Sequence, residues 1–459
     1  MIQIEFHGGA GTVTGSKHLL RVNNDEVLID CGMFQGLKEL RQKNWSPPIF
    51  DPAGLRWVLL THAHLDHSGW LPRLVRHGFR GRILCTAATR DVAQIILMDS
   101  AKLQMEEAQY RNRRGITSHQ PALPLYTQED VLETMPFFQT VEYARWVELT
   151  PQISFQLVDV GHILGSGAIE LRLQDERRTV RVLASGDVGR YDMPLHRDPQ
   201  DAPECDALLL ESTYGARAHL AQRPEEQLLA VARKVVERKG ILLIPAFAVG
   251  RSQQVIFVLH QLFDSGRLPR IPVYLDSPMG INATKVYCSY AGPYRLDAEA
   301  LRGGVCTLFG KGLKIVKTPA QSARLAGLKG PAVIISSNGM LTGGRVLHHL
   351  RNLLPNPRNL VAMVGYQAAG SRGRYLIDGA QSLRILRDEV PVRAEVADLK
   401  AFSGHADVNE LLRWTRNIHP RQCFLVHGEP QAAEALALRL REERDWNVSI
   451  ARLGERVEL

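Results

Sequence analysis

Apolar positions in the first half of the chain follow a short, strand-like rhythm. Ile2–His7, His18–Val22 and Glu26–Asp30 read as β-segments, and Trp57–Thr61 is a continuous apolar run of the kind buried inside a sheet. Helical spacing takes over from Thr89 to Arg111, with Val92, Ile95, Ile96, Met98 and Leu103 as its expected buried face. Strand patterns return at Ile153–Val160, Ala168–Leu173, Thr179–Ala184 and Ala207–Leu210. Long strand runs with helices outside them predict sheet packed on sheet, covered by helices.

From about residue 216 strands and helices alternate. Pro224–Lys239 reads as a helix stopped at Gly240 and followed by the strand Ile241–Ala246. Further strands are expected at Ile271–Leu275, Ala332–Ile335 and Leu360–Gly365, with helices near Ser252–Phe263, after Pro278 and near Arg345–Leu354. Such alternation predicts a parallel α/β sheet. Short strands resume after about residue 390, with Gln422–Val426 the clearest. The simplest organisation is one domain inserted into another, with segments 1–215, 216–390 and 391–459.

Composition narrows the class modestly. A chain of 459 residues exceeds one compact core, and 45% hydrophobic with 23% charged residues is ordinary for a soluble globular protein. A net charge of +8 leans toward an anionic partner. The six cysteines form no CxxC pair and suit a reducing compartment better than a disulfide framework. With no signal-like start and no apolar run of about 20 residues, the expectation is a cytoplasmic protein with no membrane partner. A homodimer is admitted; nothing in the pattern decides for or against it.

The chemistry concentrates in Thr61-His62-Ala63-His64-Leu65-Asp66-His67, where four potential metal ligands fall within six residues directly after a buried strand. Imidazole and carboxylate suit zinc, and catalytic zinc sites mix them while leaving room for water. His62 and His64 can point the same way from extended backbone, whereas Asp66 and His67 lie where the chain turns into a helix and can face a second ion. One cluster cannot fill two ions. His162, Asp187 and His427 each follow a strand-like run and supply the remaining candidates.

This HxHxDH motif with its distant His, Asp and His resembles the metallo-β-lactamase superfamily. Glu211-Ser212-Thr213-Tyr214-Gly215 and Phe402-Ser403-Gly404-His405-Ala406-Asp407 are similar to two motifs of its β-CASP branch, which holds the endonuclease subunit of the cleavage and polyadenylation specificity factor and its bacterial and archaeal relatives. Gly11–Ser16, Pro245–Arg251, Asp276–Met279, Ser336–Met340 and Gly365–Gln367 also fit that branch. The resemblance implies an αββα sandwich with an inserted α/β domain. It implies one zinc on His62, His64 and His162, a second on Asp66, His67 and His427, Asp187 bridging them, and Asp30 behind the ligands. His405, held by Glu211, would face the scissile phosphate; many relatives have Asp where this chain has Glu211.

The activity so implied is zinc-dependent hydrolysis of single-stranded RNA, internally or from the 5′ end. A hydroxide shared by the ions would attack, leaving 5′-phosphate and 3′-hydroxyl ends. Arg251, Ser337, Asn338, Gly339, Gln367 and Ser371 are the expected substrate-binding residues, lining a crevice that a single strand can thread. Arg372 and Arg374 are read as phosphate contacts. The alternatives are a zinc hydrolase of small esters or thioesters and a DNA-acting nuclease, since nothing in this chemistry uses the 2′-hydroxyl. The stretch Gly8–Lys17 superficially resembles a phosphate loop but lacks the Gly-Lys-Ser/Thr of a nucleotide site.

Overall fold

Alternation along the early strands divides their side chains between two faces, and that division builds the layers. In a computed structural model, which describes residues 1–459 apart from 117–119, 177, 220–221, 291–305, 307, 309, 311, 366 and 368–369, the chain forms two units. The first comprises Met1–Tyr191, Asp198–Ala218 and His405–Leu459; the second comprises Asp192–Arg197 and His219–Gly404.

The first unit holds two seven-stranded sheets. One runs, in spatial order, through Arg456–Glu458, Ile2–Gly8, Lys17–Val22, Asp25–Ile29, Trp57–Leu59, Arg82–Cys85 and Phe138–Thr140. The other runs through Val448–Ile450, Gln422–Val426, Ala207–Glu211, Thr179–Ala184, Gly167–Gln174, Ile153–Asp159 and Val147–Thr150. Val27 and Ile29 turn inward and meet Phe155, Leu171 and Leu209 of the facing sheet in one buried cluster. Leu28 and Val58 turn outward beneath Trp70, Leu74 and Leu97, while Leu183, Leu208 and Leu425 pack under Leu411, Trp414 and Leu440. Period-2 patterning thus produces the expected sandwich with helices on both outer faces.

The long helix spans Ala87–Arg114 and is capped by Thr86, whose hydroxyl accepts from the Thr89 amide at 3.0 Å. Its buried face uses Val92, Ala93, Ile96, Leu97 and Ala101, but Leu103, expected there, is 52% exposed. Small alanines at helical spacing let this helix lie close to the sheet, and they carry less signal than a leucine.

The second unit has a six-stranded sheet in the order Leu313–Ile315, Val273–Asp276, Ala332–Ser336, Ile241–Pro245, Leu360–Met363, Glu395–Asp398. Every pairing in it is parallel. Its last strand bonds to Leu360–Met363, so this sheet continues past residue 390, where the pattern suggested a return to the first domain. A short strand of half-buried residues carries no mark of which sheet it joins. Cys288 and Cys306 form a disulfide, contrary to the expectation from cysteine spacing; Cys31, Cys85, Cys205 and Cys423 are buried thiols. Among the described residues, no helix is long and apolar enough to cross a membrane.

Candidate metal centre

In the first unit, the strands preceding the candidate ligands run the same way. Asp25–Ile29 pairs in parallel with Trp57–Leu59, and Ala207–Glu211 pairs in parallel with both Thr179–Ala184 and Gln422–Val426. Asp30, His62–His67, Asp187, Glu211 and His427 therefore emerge at carboxyl ends of strands. His162 follows Ile153–Asp159, and His405 opens the last segment of the unit.

Two sets of ligand atoms converge there. His64 Nδ1 lies 3.1 Å from His62 Nε2 and 3.2 Å from His162 Nε2, and those two nitrogens are 3.4 and 3.5 Å from Asp187 Oδ2. In the second set, His427 Nε2 lies 3.2 Å from His67 Nε2 and 3.4 Å from Asp66 Oδ2, with Asp187 Oδ1 at 3.3 Å from His67 Nε2. Two ligands held 2.0–2.1 Å from a tetrahedral ion are roughly 3.3–3.4 Å apart, so both sets have the spacing of ligands around a common centre. Among the described residues neither oxygen of Asp187 has a well-formed hydrogen bond, only histidine nitrogens at 3.2–3.5 Å, although the residue is buried. A buried carboxylate without well-formed hydrogen bonds is costly, and a cation on each oxygen would satisfy it.

The electrostatics favour the ligating forms of three histidines and of both carboxylates, while His67 favours its cation, whose proton a metal would displace. Burial pushes His62 down to about 3 and His64 to about 4, and it holds His162 well below the ordinary histidine range. All three are neutral donors near pH 7. Burial also opposes charge on His67, but the Asp187 and Asp30 carboxylates outweigh it and hold the ring well above its ordinary value. Asp66 and Asp187 lie below the usual carboxylate range because surrounding imidazoles overcome the effect of burial.

Partners behind the ligands fix their orientation. His67 Nδ1 donates to Asp30 Oδ2 at 2.7 Å, which turns Nε2 toward the centre. Asp30 also accepts from the Thr61 amide at 2.8 Å and from the Thr61 hydroxyl at 3.0 Å. Asp30 and His427 both take left-handed backbone, with φ of 58° and 49°, a strain that collects at functional sites. Gly186, with φ of 55°, sits where a Cβ would fall 2.8 Å from Thr61 Cβ, so only glycine lets Asp187 approach this closely. Thr61 and Thr213, whose hydroxyl is 3.2 Å from His427 Nδ1, were not foreseen in the sequence. Their sequence signal is position alone: Thr61 directly precedes His62, and Thr213 stands two residues after Glu211.

His405 Nδ1 lies 3.1 Å from Glu211 Oε2 and 3.8 Å from Asp187 Oδ2. Glu211 is fully buried and also accepts from the Val188 amide at 2.6 Å. The His405 side chain keeps 18% exposure, so it stands at the mouth of the recess. The loop Gly8–Ser16 is a wall of the site, not a phosphate cradle. The His427 amide donates to Gly9 O at 2.6 Å and the Ser16 amide to Asp66 O at 2.8 Å. Lys17 is buried, donates to Gly32 O, and stacks over Phe34 and Trp70.

The remaining candidates lie in the second unit, past carboxyl ends of its parallel strands, the edge at which open α/β sheets bind ligands. Arg251 begins the helix after Ile241–Pro245, and Ser337, Asn338 and Gly339 follow Ala332–Ser336. Gln367, after Leu360–Met363, donates to the carbonyls of Gly339 and Gly365 at 3.0 Å, and Ser371 caps the following short helix. Arg374 pairs with Asp378 at 2.7 Å and Arg372 donates to the Arg384 and Leu341 carbonyls. Both side chains are thus also engaged within the fold, and arginines beside a Gly-rich loop give no sequence sign of such partners. Tyr366 lies outside the described residues.

Comparison with known proteins agrees with this geometry. The metallo-β-lactamase superfamily profile matches residues 12–226, the Beta-Casp domain 252–376, and the Zn-dependent metallo-hydrolase RNA specificity domain 389–451. The chain is 39% identical to Ribonuclease TTHA0252 of Thermus thermophilus, over 98% of each chain. It is 30% identical to an RNase J-like protein of Methanocaldococcus jannaschii, over 95% of each. It is 32% identical to the transcription termination factor FttA of Pyrococcus abyssi, over 95% of this chain and 68% of that one. A solved structure of a protein of unknown function from Enterococcus faecalis V583 shares the fold, with a TM-score of 0.55 at 16% identity and full coverage of both chains. Two ligand triads around one carboxylate, an acid–histidine pair beside them and these full-length similarities lead to one assignment: the chain belongs to the β-CASP family of the metallo-β-lactamase superfamily.

Proposed function

We propose that the protein is a two-zinc ribonuclease that hydrolyses phosphodiester bonds of single-stranded RNA in the cytoplasm, cutting internally or from the 5′ end. The observation that carries this reading is Asp187, whose two buried oxygens, neither with a well-formed hydrogen bond, each face a different ligand triad beside the Glu211–His405 pair. His62, His64, His162 and Asp187 would hold one ion, Asp66, His67, His427 and Asp187 would hold the other, and Asp30 orients His67. When bound, the ions supply a water acidic enough to be deprotonated near neutral pH, and positive charge for the phosphoryl oxygens.

The chain's own groups complete the reaction. Glu211 engages His405 through Nδ1 and stabilises its imidazolium, so Nε2 gives the proton to the departing 3′ oxygen. The Val188 amide fixes the Glu211 carboxylate, which keeps the pair aligned. Products then carry 5′-phosphate and 3′-hydroxyl ends. Arg251, Ser337, Asn338, Gly339, Gln367 and Ser371 are assigned to RNA contact, on their position after parallel strands. The ribonuclease names of the relatives support RNA over DNA.

Digestion of end-labelled single-stranded RNA tests this directly. Cleavage abolished by a chelator and restored by zinc is expected. Undiminished cleavage in chelator, by protein holding well under one ion per chain, rejects it.

A further inference from the structure

The strand that delivers the His62–His67 loop and its parallel neighbour also present their amino ends at the opposite edge of the sheet. Trp57–Leu59 and Arg82–Cys85 run parallel, with their carboxyl ends toward the metal-ligand loops. Their amino ends line a cavity of about 510 Å³ whose wall includes Arg56, Trp57, Arg80, Gly81, Arg82 and Leu149. Among the described residues no aspartate or glutamate lines it.

A close backbone approach joins the segments that carry two of the three arginines. The Arg82 amide donates to Arg56 O at 2.9 Å, and a Cβ on Gly81 would fall 2.2 Å from that same oxygen. Only glycine allows the two segments to meet this way. The Arg56 guanidinium lies 4.2 Å over the Trp57 ring and reaches Asp25 at 3.3 Å, at the exposed rim. Arg80 donates to the Val75 and Phe79 carbonyls at 2.9 and 2.7 Å, neutral acceptors that leave its charge uncancelled. Arg82 is exposed and has no ion pair among the described residues. Of the three arginines in the lining, Arg56 alone has a carboxylate partner among the described residues, at the rim.

Planar guanidinium donors match phosphate oxygens two at a time, and a concave wall of one sign focuses its field. We propose that this cavity is a phosphate-binding site separate from the metal centre, filled by the phosphates of an RNA strand continuing past the cut bond or of a free nucleotide. The RNA source rests on the nuclease reading; the phosphate site does not. Six residues at ~3.3 Å each put Arg56 and His62 up to roughly 20 Å apart, so a long RNA can fill both places while a short one reaches the second less well.

The test uses the full, metal-loaded chain and its Arg82→Glu variant, with cleavage of RNAs of about 4 and about 16 nucleotides and calorimetric titration with pyrophosphate and ATP. For the long RNA, Arg82→Glu should raise KM about 10-fold at unchanged kcat, the worth of one charge-assisted contact. The slope of log KM against log salt should fall by about 0.7, and the short RNA should be affected less. ATP binding that Arg82→Glu abolishes, with long-RNA KM unchanged, assigns the cavity to free nucleotides and overturns its RNA role. No phosphate binding and no change in KM overturns the site altogether, as does an equal KM rise for both RNAs. Wild type that cuts neither RNA counts against the nuclease reading alone, and the titrations still test the cavity.

Discussion

His405 is within 3.8 Å of Asp187 and 3.1 Å of Glu211, so at the scale of one residue it could be a proton donor or a metal ligand. The account makes it the donor. His405→Ala should keep both metals and lose cleavage by about 10²–10⁴-fold, the usual weight of a general acid. Metal analysis showing an ion lost with the imidazole would recast it as a ligand. Lys17 gives a pH signature. Burial lowers its ammonium from the ordinary 10.5 to about 8. Between those values the unfolded chain holds more protons at this side chain than the folded one, so stability rises with pH across the window. Below pH 8 both states are protonated and the cost of burying the charge stands in full. Denaturation of wild type and Lys17→Met should therefore show the difference moving in favour of wild type from pH 8 to 10.5, and a flat difference would contradict the assignment. The candidate ligands were legible in the sequence because the loops that carry them follow strand-like runs. Their partners were less so: Thr61 and Thr213 are common residue types whose role depends on contacts such as Thr61 to Asp30, distant in sequence.

Elements reach the site through close backbone packing. A Cβ on Gly32 would lie 1.6 Å from Asp66 O, and the Gly32 carbonyl accepts from Lys17. Gly32→Ala must push the Asp66–His67 turn outward. It should cost about 1–3 kcal/mol, as overpacking does, and release the ion of that triad. Urea denaturation and metal analysis check both effects; a variant that keeps full stability and both ions would show that this contact does not hold the turn. Elements with strong patterns, such as Trp57–Leu59 or Gln422–Val426, were readable from their apolar runs. Leu103 was not, because the long helix buries alanines in preference to its larger residues on that stretch. The Cys288–Cys306 bond joins residues 18 apart with no motif around them, and proximity of that kind is a property of the fold.

Across the whole molecule, the alternation of strand and helix after residue 216 gave away the parallel sheet, since hydrophobic period and turn residues are local signals. The assignment of Glu395–Asp398 to that sheet was not local, and it moved the edge of the second unit to Gly404. The ligand triads, Asp187, Glu211 and His405 all belong to the first unit, so the chemistry can be judged on one body. Its central claim is water attack on phosphorus with the 3′ oxygen leaving, and product analysis after cleavage in ¹⁸O-water tests that most directly. The account predicts one ¹⁸O in each new 5′-phosphate and an unlabelled 3′-hydroxyl on the other product. A 2′,3′-cyclic phosphate, or label in a 3′-phosphate, would contradict it.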